Sequence, residues 1–311
     1  NMSWIKKLIF LLIAWIFLLS ISFFSIEVVL RNIAKNPWHE TTRINLIRDR
    51  EIDYKVDNLY KNDKEFIKYK RNIFGLRDNC HLSSNIDILT IGGSTTDQRY
   101  IEFENTFQYI MQEEISKTIN KDICISNAGI DGHSTFGHLY SFQNWFPLID
   151  QLDPSIYIFY IGLNDVGFFM ESKNHFDEID TRTFKGFLKQ FRLTQSLLRG
   201  RDIFYEIFSI RSQAYSGHFQ NSYIQSEYSI DRINPVTEQL ARINGQKFRL
   251  RLRKMIEYAT DNGGDYVCVT QPHKYIRTID GRRYGIPNIL GKNFSGLDYD
   301  LALQIINKVM F

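Results

Sequence analysis

A repeated order of short apolar segment, glycine-containing turn and amphipathic segment constrains the fold of this chain most strongly. Apolar runs typical of buried strands are followed by stretches with helical spacing. Buried strands that alternate with helices form parallel sheets covered on both faces, so the sequence predicts an α/β domain. We predict strands at 86–91, 123–126, 156–161 and 266–270, and helices at 106–119, 135–146 and 298–311.

The N-terminal segment has a different character. Leu8 to Ile26 is almost continuously apolar and follows Lys6 and Lys7. About 20 apolar residues span a bilayer as a helix, and no small-x-small cleavage site follows. We therefore predict an uncleaved transmembrane signal anchor over 1–30. Basic residues on both sides leave the orientation open, and a short cytoplasmic tail would place the body outside the cytoplasm.

The remaining organisation follows from composition. Residues 31–85 are predicted as a charged connector, and 86–311 as the main domain with a helical insertion at 183–262. The insertion is interpreted either as a cap over the site or as a peripheral helical layer. Because the chain ends within a helical pattern, we expect a truncated C-terminus. A net charge of +3 without a continuous basic block argues against a nucleic-acid partner.

The three cysteines have neither metal-type spacing nor an even disulfide framework. Cys124 and Cys268 lie in apolar, strand-like runs, and we expect both to be buried, inert thiols. Cysteine usage therefore says little about the redox compartment. No metal or organic cofactor is predicted.

Polar and glycine residues follow every predicted strand. Each such turn alone is compatible with ordinary turn or helix-cap chemistry. Together they lie at the carboxyl edge of the predicted sheet, where open α/β folds place their sites. The four turns are Gly92-Gly93-Ser94, Asn127-Ala128-Gly129-Ile130-Asp131-Gly132, Gly162-Leu163-Asn164-Asp165 and Gln271-Pro272-His273.

This set of residues fits acyl transfer. Ser94 supplies a hydroxyl nucleophile, and a tetrahedral intermediate needs donors for its oxyanion. The backbone N–H groups of Ser94 and Gly132 and the side-chain amide of Asn164 are predicted to supply them. A phosphate-binding turn is the less favoured alternative, because the turn lacks a lysine and the G-x-x-x-x-G-K-[ST] pattern.

The blocks GGST, NAGxxG and GxND, in this order, resemble the first three blocks of the SGNH (GDSL-type) hydrolase family. The resemblance implies a three-layer α/β/α fold with a flavodoxin-like parallel sheet. It also implies Ser94 as nucleophile, and Gly132 and Asn164 as oxyanion donors. An upstream N-x-x-G-x-R element, matched by Asn72, Gly75 and Arg77, is similar to that of membrane-anchored bacterial members linked to surface polysaccharides. Gly93 departs from the aspartate found in many members.

The family also carries a C-terminal Asp-x-x-His block, which has no match after the nucleophile here. Only Asp78 and His81 have that spacing, and they precede Ser94, so we interpret them as coincidence. His273, His133 and Asp165 are predicted as substrate contacts. His273 is disfavoured as a substitute base, because no acidic residue is evident beside it.

We therefore expect a serine esterase or acyl transferase acting on O-acyl groups, O-acetyl above all, of a small molecule or a cell-surface carbohydrate. In the 311-residue form it would lack its catalytic base. The alternative is a non-catalytic module that binds a glycan or another partner.

Overall fold

The computed structural model describes most of the chain in seven continuous ranges and a few single positions. It divides into two compact units, Asn1–His39 with Ile179–Arg211, and Glu40–Glu178 with Ser212–Phe311. The described residues are 4–33, 46–56, 65–80, 86–166, 228–261, 263–289 and 293–311, with the single positions 38, 41, 44, 191, 193, 194 and 197.

The first unit contains one long helix, α1 (Trp4–Ile33). Its segment Lys6–Leu30 is long and apolar enough to cross a membrane, by length and composition. Large apolar side chains such as Leu12 and Phe17 are exposed to 61% and 65%. A core helix of a water-soluble protein would bury such side chains on at least one face.

The second unit is built around a parallel sheet with helices packed against it. Its four strands lie in the order β4-β3-β5-β6, and all three pairings are parallel. In chain order the elements are β1 (Arg50–Lys55), β2 (Phe66–Arg71), β3 (Ile88–Gly92), α2 (Ser94–Asp97), α3 (Phe107–Ile119), β4 (Ile125–Asn127), α4 (Thr135–Asn144), β5 (Ile156–Tyr160), α5 (Leu163–Val166), α6 (Thr237–Asp261), β6 (Asp265–Val269), β7 (Ile276–Ile279), β8 (Arg282–Gly285) and α7 (Gly296–Met310).

The strand order confirms the predicted fold class. The first strand of the sheet lies between the second and the third, as in flavodoxin-like sheets, and all four predicted strands are present. The register pairs Gly92 with Tyr160 and Thr90 with Asn127. Because all pairings are parallel, the turns that follow the four strands meet at one edge, as the sequence predicts.

The last strand of the sheet, β6, is unusually exposed. It pairs with β5 on one side and is the terminal strand of the described sheet. Tyr266, Val267 and Val269 are exposed to 45%, 47% and 37%, so both faces of the strand reach solvent. Its apolar composition is typical of an interior strand, which a parallel sheet covers on both faces.

The region predicted as a charged connector contains an antiparallel hairpin, β1–β2, with Arg50 opposite Arg71 and Lys55 opposite Phe66. In β2 the side chains of Ile67, Tyr69 and Arg71 are buried in strict alternation. Three basic residues within six positions hid this alternation in the sequence.

The predicted insertion 183–262 ends in α6, which packs against α4 and α7. This helix begins at Thr237, after a turn in which the Asn234 side chain accepts the Val236 N–H. The described part of the insertion is mainly this helix. Most of the rest of the insertion, including any cap, lies outside the described residues.

The cysteine prediction is wrong for Cys124. Cys80 and Cys124 form a disulfide with Cα atoms 5.6 Å apart, across 44 residues of sequence. Cys268 is a free, partly buried thiol. The odd cysteine number and the wide spacing concealed the pair, because the two residues come together only when the segment after Arg77 lies antiparallel to β4, next to the Arg77–Asn127 bridge.

Candidate active site

Ser94 begins the four-residue helix α2 directly after β3. The carbonyl oxygen of Gly93 accepts the backbone N–H groups of Thr96 (3.0 Å) and Asp97 (2.9 Å), which closes the turn. A Cβ at Gly92 would collide with the Tyr160 carbonyl oxygen, so glycine lets β3 turn beside β5. The Ser94 side chain is exposed at the carboxyl edge of the sheet.

Asn164, at the end of β5, connects the turns that carry the other two predicted site residues. Its Nδ2 donates a hydrogen bond to the His133 carbonyl oxygen at 2.7 Å, next to Gly132. A Cβ built on Gly93 would lie 2.5 Å from the same Nδ2 atom. The amide thus packs between the residue before Ser94 and the residue after Gly132. The amide has a second N–H, and Gly132 itself adopts a φ of 76°.

The side-chain amides of Asn127 and Gln271 also connect turns at this edge of the sheet. Asn127 donates from Nδ2 to the Thr96 carbonyl oxygen (2.7 Å) and accepts the Gly129 N–H (2.8 Å). Gln271, after β6, donates to Thr95 Oγ1 at 2.5 Å and accepts the Leu163 N–H at 2.8 Å. Each amide satisfies polar groups in two different turns, so all four turns are joined by hydrogen bonds. The sequence identified Asn127 and Gln271 as strand-end residues but not as these links.

Asp97, the last residue of α2, is fully buried in a cluster of charges. Its Oδ1 accepts from Tyr69 Oη (2.5 Å) and Arg71 Nη2 (2.8 Å), and its Oδ2 accepts from Arg99 Nη2 (2.9 Å). Burial opposes the charge, but the guanidinium groups of Arg71 and Arg99 outweigh it and hold the pKa of Asp97 below its usual range. Arg99 also reaches Asp131, beside Gly132, at 3.5 Å.

A second buried arginine, Arg77, holds the backbone that follows the Ser94 turn. Its guanidinium donates to the carbonyl oxygens of Asp97 (2.9 Å), Gln98 (2.8 Å) and Ile101 (2.6 Å). Arg77 belongs to the upstream N-x-x-G-x-R element, in which Asn72 Oδ1 accepts two backbone N–H groups at 3.0 Å and Gly75 has a φ of 83°. The sequence indicates this element only by resemblance, and the structure adds that Arg77 holds the backbone that follows the Ser94 turn.

Asp165, which follows Asn164, is buried among α4 and α6. It accepts from the backbone N–H (3.1 Å) and the hydroxyl (2.5 Å) of Thr135, and Arg251 Nη2 lies 3.4 Å away. Burial raises the pKa of Asp165 to about 6, because one guanidinium group and the Thr135 donors do not outweigh the loss of water. The side chain predicted as a substrate contact has partners only inside the protein.

His133 is also buried, with its Nε2 2.9 Å from the carbonyl oxygen of Ile44. Burial lowers the pKa of His133 to about 4, so the ring is neutral at neutral pH. Its backbone carbonyl, through Asn164, is the part of the residue that belongs to the candidate site. The predicted substrate contact would require the ring to leave this position.

His273 has the acidic partner that the sequence did not reveal. Its Nε2 donates to Asp300 Oδ1 on α7 at 2.9 Å, across 27 residues of sequence, and Asp300 also pairs with Arg283. Its Nδ1 accepts the Tyr275 N–H at 3.3 Å. Both ring nitrogens are therefore hydrogen-bonded to groups other than Ser94. Together with Arg283, the His273–Asp300 pair connects the β7–β8 hairpin to α7.

The Ser94 hydroxyl makes no hydrogen bond to any residue that the structure describes. Of the early Asp-x-x-His pair, Asp78 accepts from Ser126 Oγ at 2.5 Å, and His81 lies outside the described residues. Among the described ranges, no group of three potential ligands could hold a metal ion. As described, this edge of the sheet carries the exposed Ser94 next to Asn164 and the turn of Gly132.

Comparison with known proteins gives similarity in structure only. No protein-family model matches the sequence, and neither does any curated protein sequence. Solved structures titled TesA and AlinE4, the latter an SGNH-hydrolase family esterase, are 11% and 12% identical, both with TM-scores of 0.35. They cover 71% and 73% of this chain and 71% and 74% of their own. A GDSL-like lipase from Bacteroides thetaiotaomicron is 15% identical with a TM-score of 0.21, covering 72% of this chain and 86% of its own.

At these scores the similarity adds no evidence about the chemistry. The candidate site is therefore defined by the three sequence blocks and by the sheet edge at which this structure places them.

Proposed function

We propose that this protein is a serine esterase or acyl transferase that acts on O-acyl groups. The observation that carries the proposal is the position of Asn164, whose amide packs on Gly93 and bonds the His133 carbonyl. This single side chain thus connects the turn that carries Ser94 to the turn that carries Gly132. An exposed serine beside convergent donors is what an acyl-transfer site requires.

The reaction follows from these atoms. Ser94 Oγ loses its proton to a base and attacks the carbonyl carbon of the ester. The backbone N–H groups of Ser94 and Gly132 and the Asn164 amide stabilise the oxyanion. Collapse of the intermediate expels the alcohol, which takes up a proton, and leaves acyl-Ser94. Water or a second alcohol then attacks this acyl group and regenerates the serine.

The proposed substrate is an O-acetylated carbohydrate of the cell surface, on the basis of the family resemblance. The proposed location is the cell membrane, with α1 as anchor and the hydrolase domain outside the cytoplasm. The Cys80–Cys124 disulfide supports this location, because disulfides persist in oxidising compartments and are rare in the cytosol.

The second candidate is a binding module for acylated glycans or another partner without turnover. It is favoured by one observation, the lack of a hydrogen-bond acceptor for the Ser94 hydroxyl among the described residues. For the same reason, we expect turnover by the 311-residue form to be slow.

Hydrolysis of p-nitrophenyl acetate and labelling by a fluorophosphonate separate the two. We expect Ser94→Ala to abolish both signals and Asn164→Ala to lower the rate about 100-fold or more, as for other oxyanion donors. Ser155→Ala, at an exposed serine away from the site, is the matched control. Turnover that survives Ser94→Ala would exclude the mechanism. Glycan binding that is unchanged in Ser94→Ala, without labelling of the wild type, would establish the binding module instead.

A further inference from the structure

Helix α6 has an outward face that is strongly basic. Its inner face is buried and includes Phe248, Leu252 and Met255. Between residues 239 and 256 the sequence contains no aspartate or glutamate. The exposed cations of this segment are Arg242, Lys247, Arg249, Arg253 and Lys254. Because they alternate with buried apolar residues, they form a face in the helix without forming a block in the sequence.

Four of these cations are available to a partner. Arg242 pairs with Glu238 at 2.6 Å on the same helix. Lys247, Arg249, Arg253 and Lys254 have no ion pair with any residue that the structure describes. A protein of net charge +3 thus concentrates four unneutralised positive charges within eight residues, 247 to 254.

The basic face also exposes apolar side chains. Ile243 and Leu250 are exposed to 47% and 62%, and they lie seven residues apart on the same side of the helix. Lys247 and Lys254 continue the same row at intervals of three and four residues. This combination of exposed hydrocarbon and flanking cations is typical of helices that lie in the interface of a membrane.

We propose that the outward face of α6 docks on the surface of a membrane that contains anionic lipids. The cations complement the lipid phosphates, and Ile243 and Leu250 enter the boundary between headgroups and acyl chains. The inference rests on the proposed anchoring by α1. The chain from Ile33 to Arg50 spans at most about 60 Å, so an anchored body stays near the bilayer at high effective concentration.

The test uses the full chain in vesicles, with a fluorophore on Leu250→Cys in a Cys268→Ser background. A second protein carries the fluorophore on Lys117→Cys, an exposed position on α3. Vesicles contain a spin-labelled lipid with either phosphatidylcholine alone or one third phosphatidylglycerol. We expect about a twofold or greater loss of fluorescence at position 250 in the anionic vesicles, reversed by high salt, and none at position 117.

Replacing the exposed cations of α6 tests whether their charge is the cause of the docking. Changing Lys247, Arg249, Arg253 and Lys254 to glutamine should abolish quenching at position 250. The matched control changes four exposed cations elsewhere to glutamine, namely Lys70, Lys121, Arg232 and Arg282, and should retain the quenching.

Other outcomes overturn the proposal. Equal quenching in both vesicle types excludes a role for anionic lipid, and so does equal loss in the two charge variants. A position-250 probe that is shielded by added dextran sulfate but unquenched in anionic vesicles identifies a soluble polyanion as the partner.

A chain that alkaline carbonate extracts from the vesicles overturns both the anchor and the docking. A retained chain with a water-exposed probe overturns the docking alone. Esterase activity is not used in any of these measurements, so loss of the proposed chemistry is scored separately.

Discussion

Asp97 and Asp165 are both fully buried carboxyl groups behind the candidate site, yet their pKa values move in opposite directions. Asp97 contacts the guanidinium groups of Arg71 and Arg99, whereas Arg251, at 3.4 Å, is the one cation that pairs with Asp165 among the described residues. Burial disfavours the charge of each. Two guanidinium groups and the Tyr69 hydroxyl keep Asp97 ionised, whereas burial outweighs the single guanidinium group and the Thr135 donors at Asp165.

The two carboxyl groups also hold different site residues. Asp97 is three residues after Ser94, at the end of the helix that presents the nucleophile. Asp165 directly follows Asn164 and ties its turn to Thr135 and to α6. The turn of Ser94 is thus held by an ion cluster that stays charged at neutral pH, and the turn of Asn164 by a contact that depends on pH.

The largest effect is expected for Asp97→Asn. Removing the charge leaves Arg71 and Arg99 without their shared counterion in the interior, which costs about 3–5 kcal/mol in comparable buried pairs. Urea unfolding in detergent, followed by tryptophan fluorescence, measures the change. Asp53→Asn, at an exposed position of β1, is the control and should change stability by less than about 0.5 kcal/mol. A similar loss in the two variants would mean that the cluster contributes nothing specific.

Arg99→Met tests the comparison directly, because it leaves Asp97 with one arginine. We expect a loss of about 2 kcal/mol, within the range for hydrogen bonds to charged groups, and a rise in the pKa of Asp97. A lowered pKa contributes stability that is present above the unfolded value of 3.8 and is lost as pH falls through the folded value. The acid side of the stability profile should therefore move to higher pH in Arg99→Met. An unchanged profile would mean that Arg99 does not contribute to the lowered pKa of Asp97.

Asp165 gives a pH dependence of the opposite sign. Its folded pKa of about 6 lies above the unfolded value of 3.8, so the folded state binds the proton more tightly. Stability contributed by this proton is present at low pH and is lost as pH rises from about 4 to 6, on the order of 3 kcal/mol in total. The difference in unfolding free energy between wild type and Asp165→Asn, measured from pH 4 to 7, isolates this contribution. A difference in unfolding free energy that does not change with pH would contradict the raised pKa of Asp165.

The smallest effect is expected for Thr135→Val. This change removes a donor to Asp165 and an acceptor for Arg251 Nε, at a cost of about 1 kcal/mol. Loss of the hydroxyl disfavours the carboxylate, so the transition assigned to Asp165 should move to higher pH. Thr118→Val, at an exposed position of α3, is the matched control. A downward shift would show that Arg251 closes on Asp165 when the hydroxyl is absent.

Local patterns in the sequence predicted the sheet and its edge. Apolar runs and glycine turns are short-range signals, and they located all four strands to within about two residues, within the usual error of such boundaries. The same patterns assigned Ser94, Gly132 and Asn164 to turns at one edge of the predicted sheet. Whether these three residues perform catalysis stays a prediction.

Long-range partners could not be predicted in the same way. The Cys80–Cys124 disulfide, the Arg71–Asp97 pair and the His273–Asp300 contact join residues 44, 26 and 27 positions apart. Nothing in the periodicity of either segment names its partner. In β2 the buried Arg71 was even misleading, because an arginine in a charged segment usually lies at the surface.

The terminal strand β6 has a consequence for handling the protein in solution. Among the residues that the structure describes, no strand pairs with the outer edge of β6, and this edge with its exposed Tyr266, Val267 and Val269 offers a template for strand addition by another polypeptide. Native sheets usually block such edges with charges, proline or a bulge, and within Asp265–Val269 only the first residue is charged. Samples of the 311-residue chain should therefore self-associate as concentration rises, through an edge that is independent of both α1 and the serine.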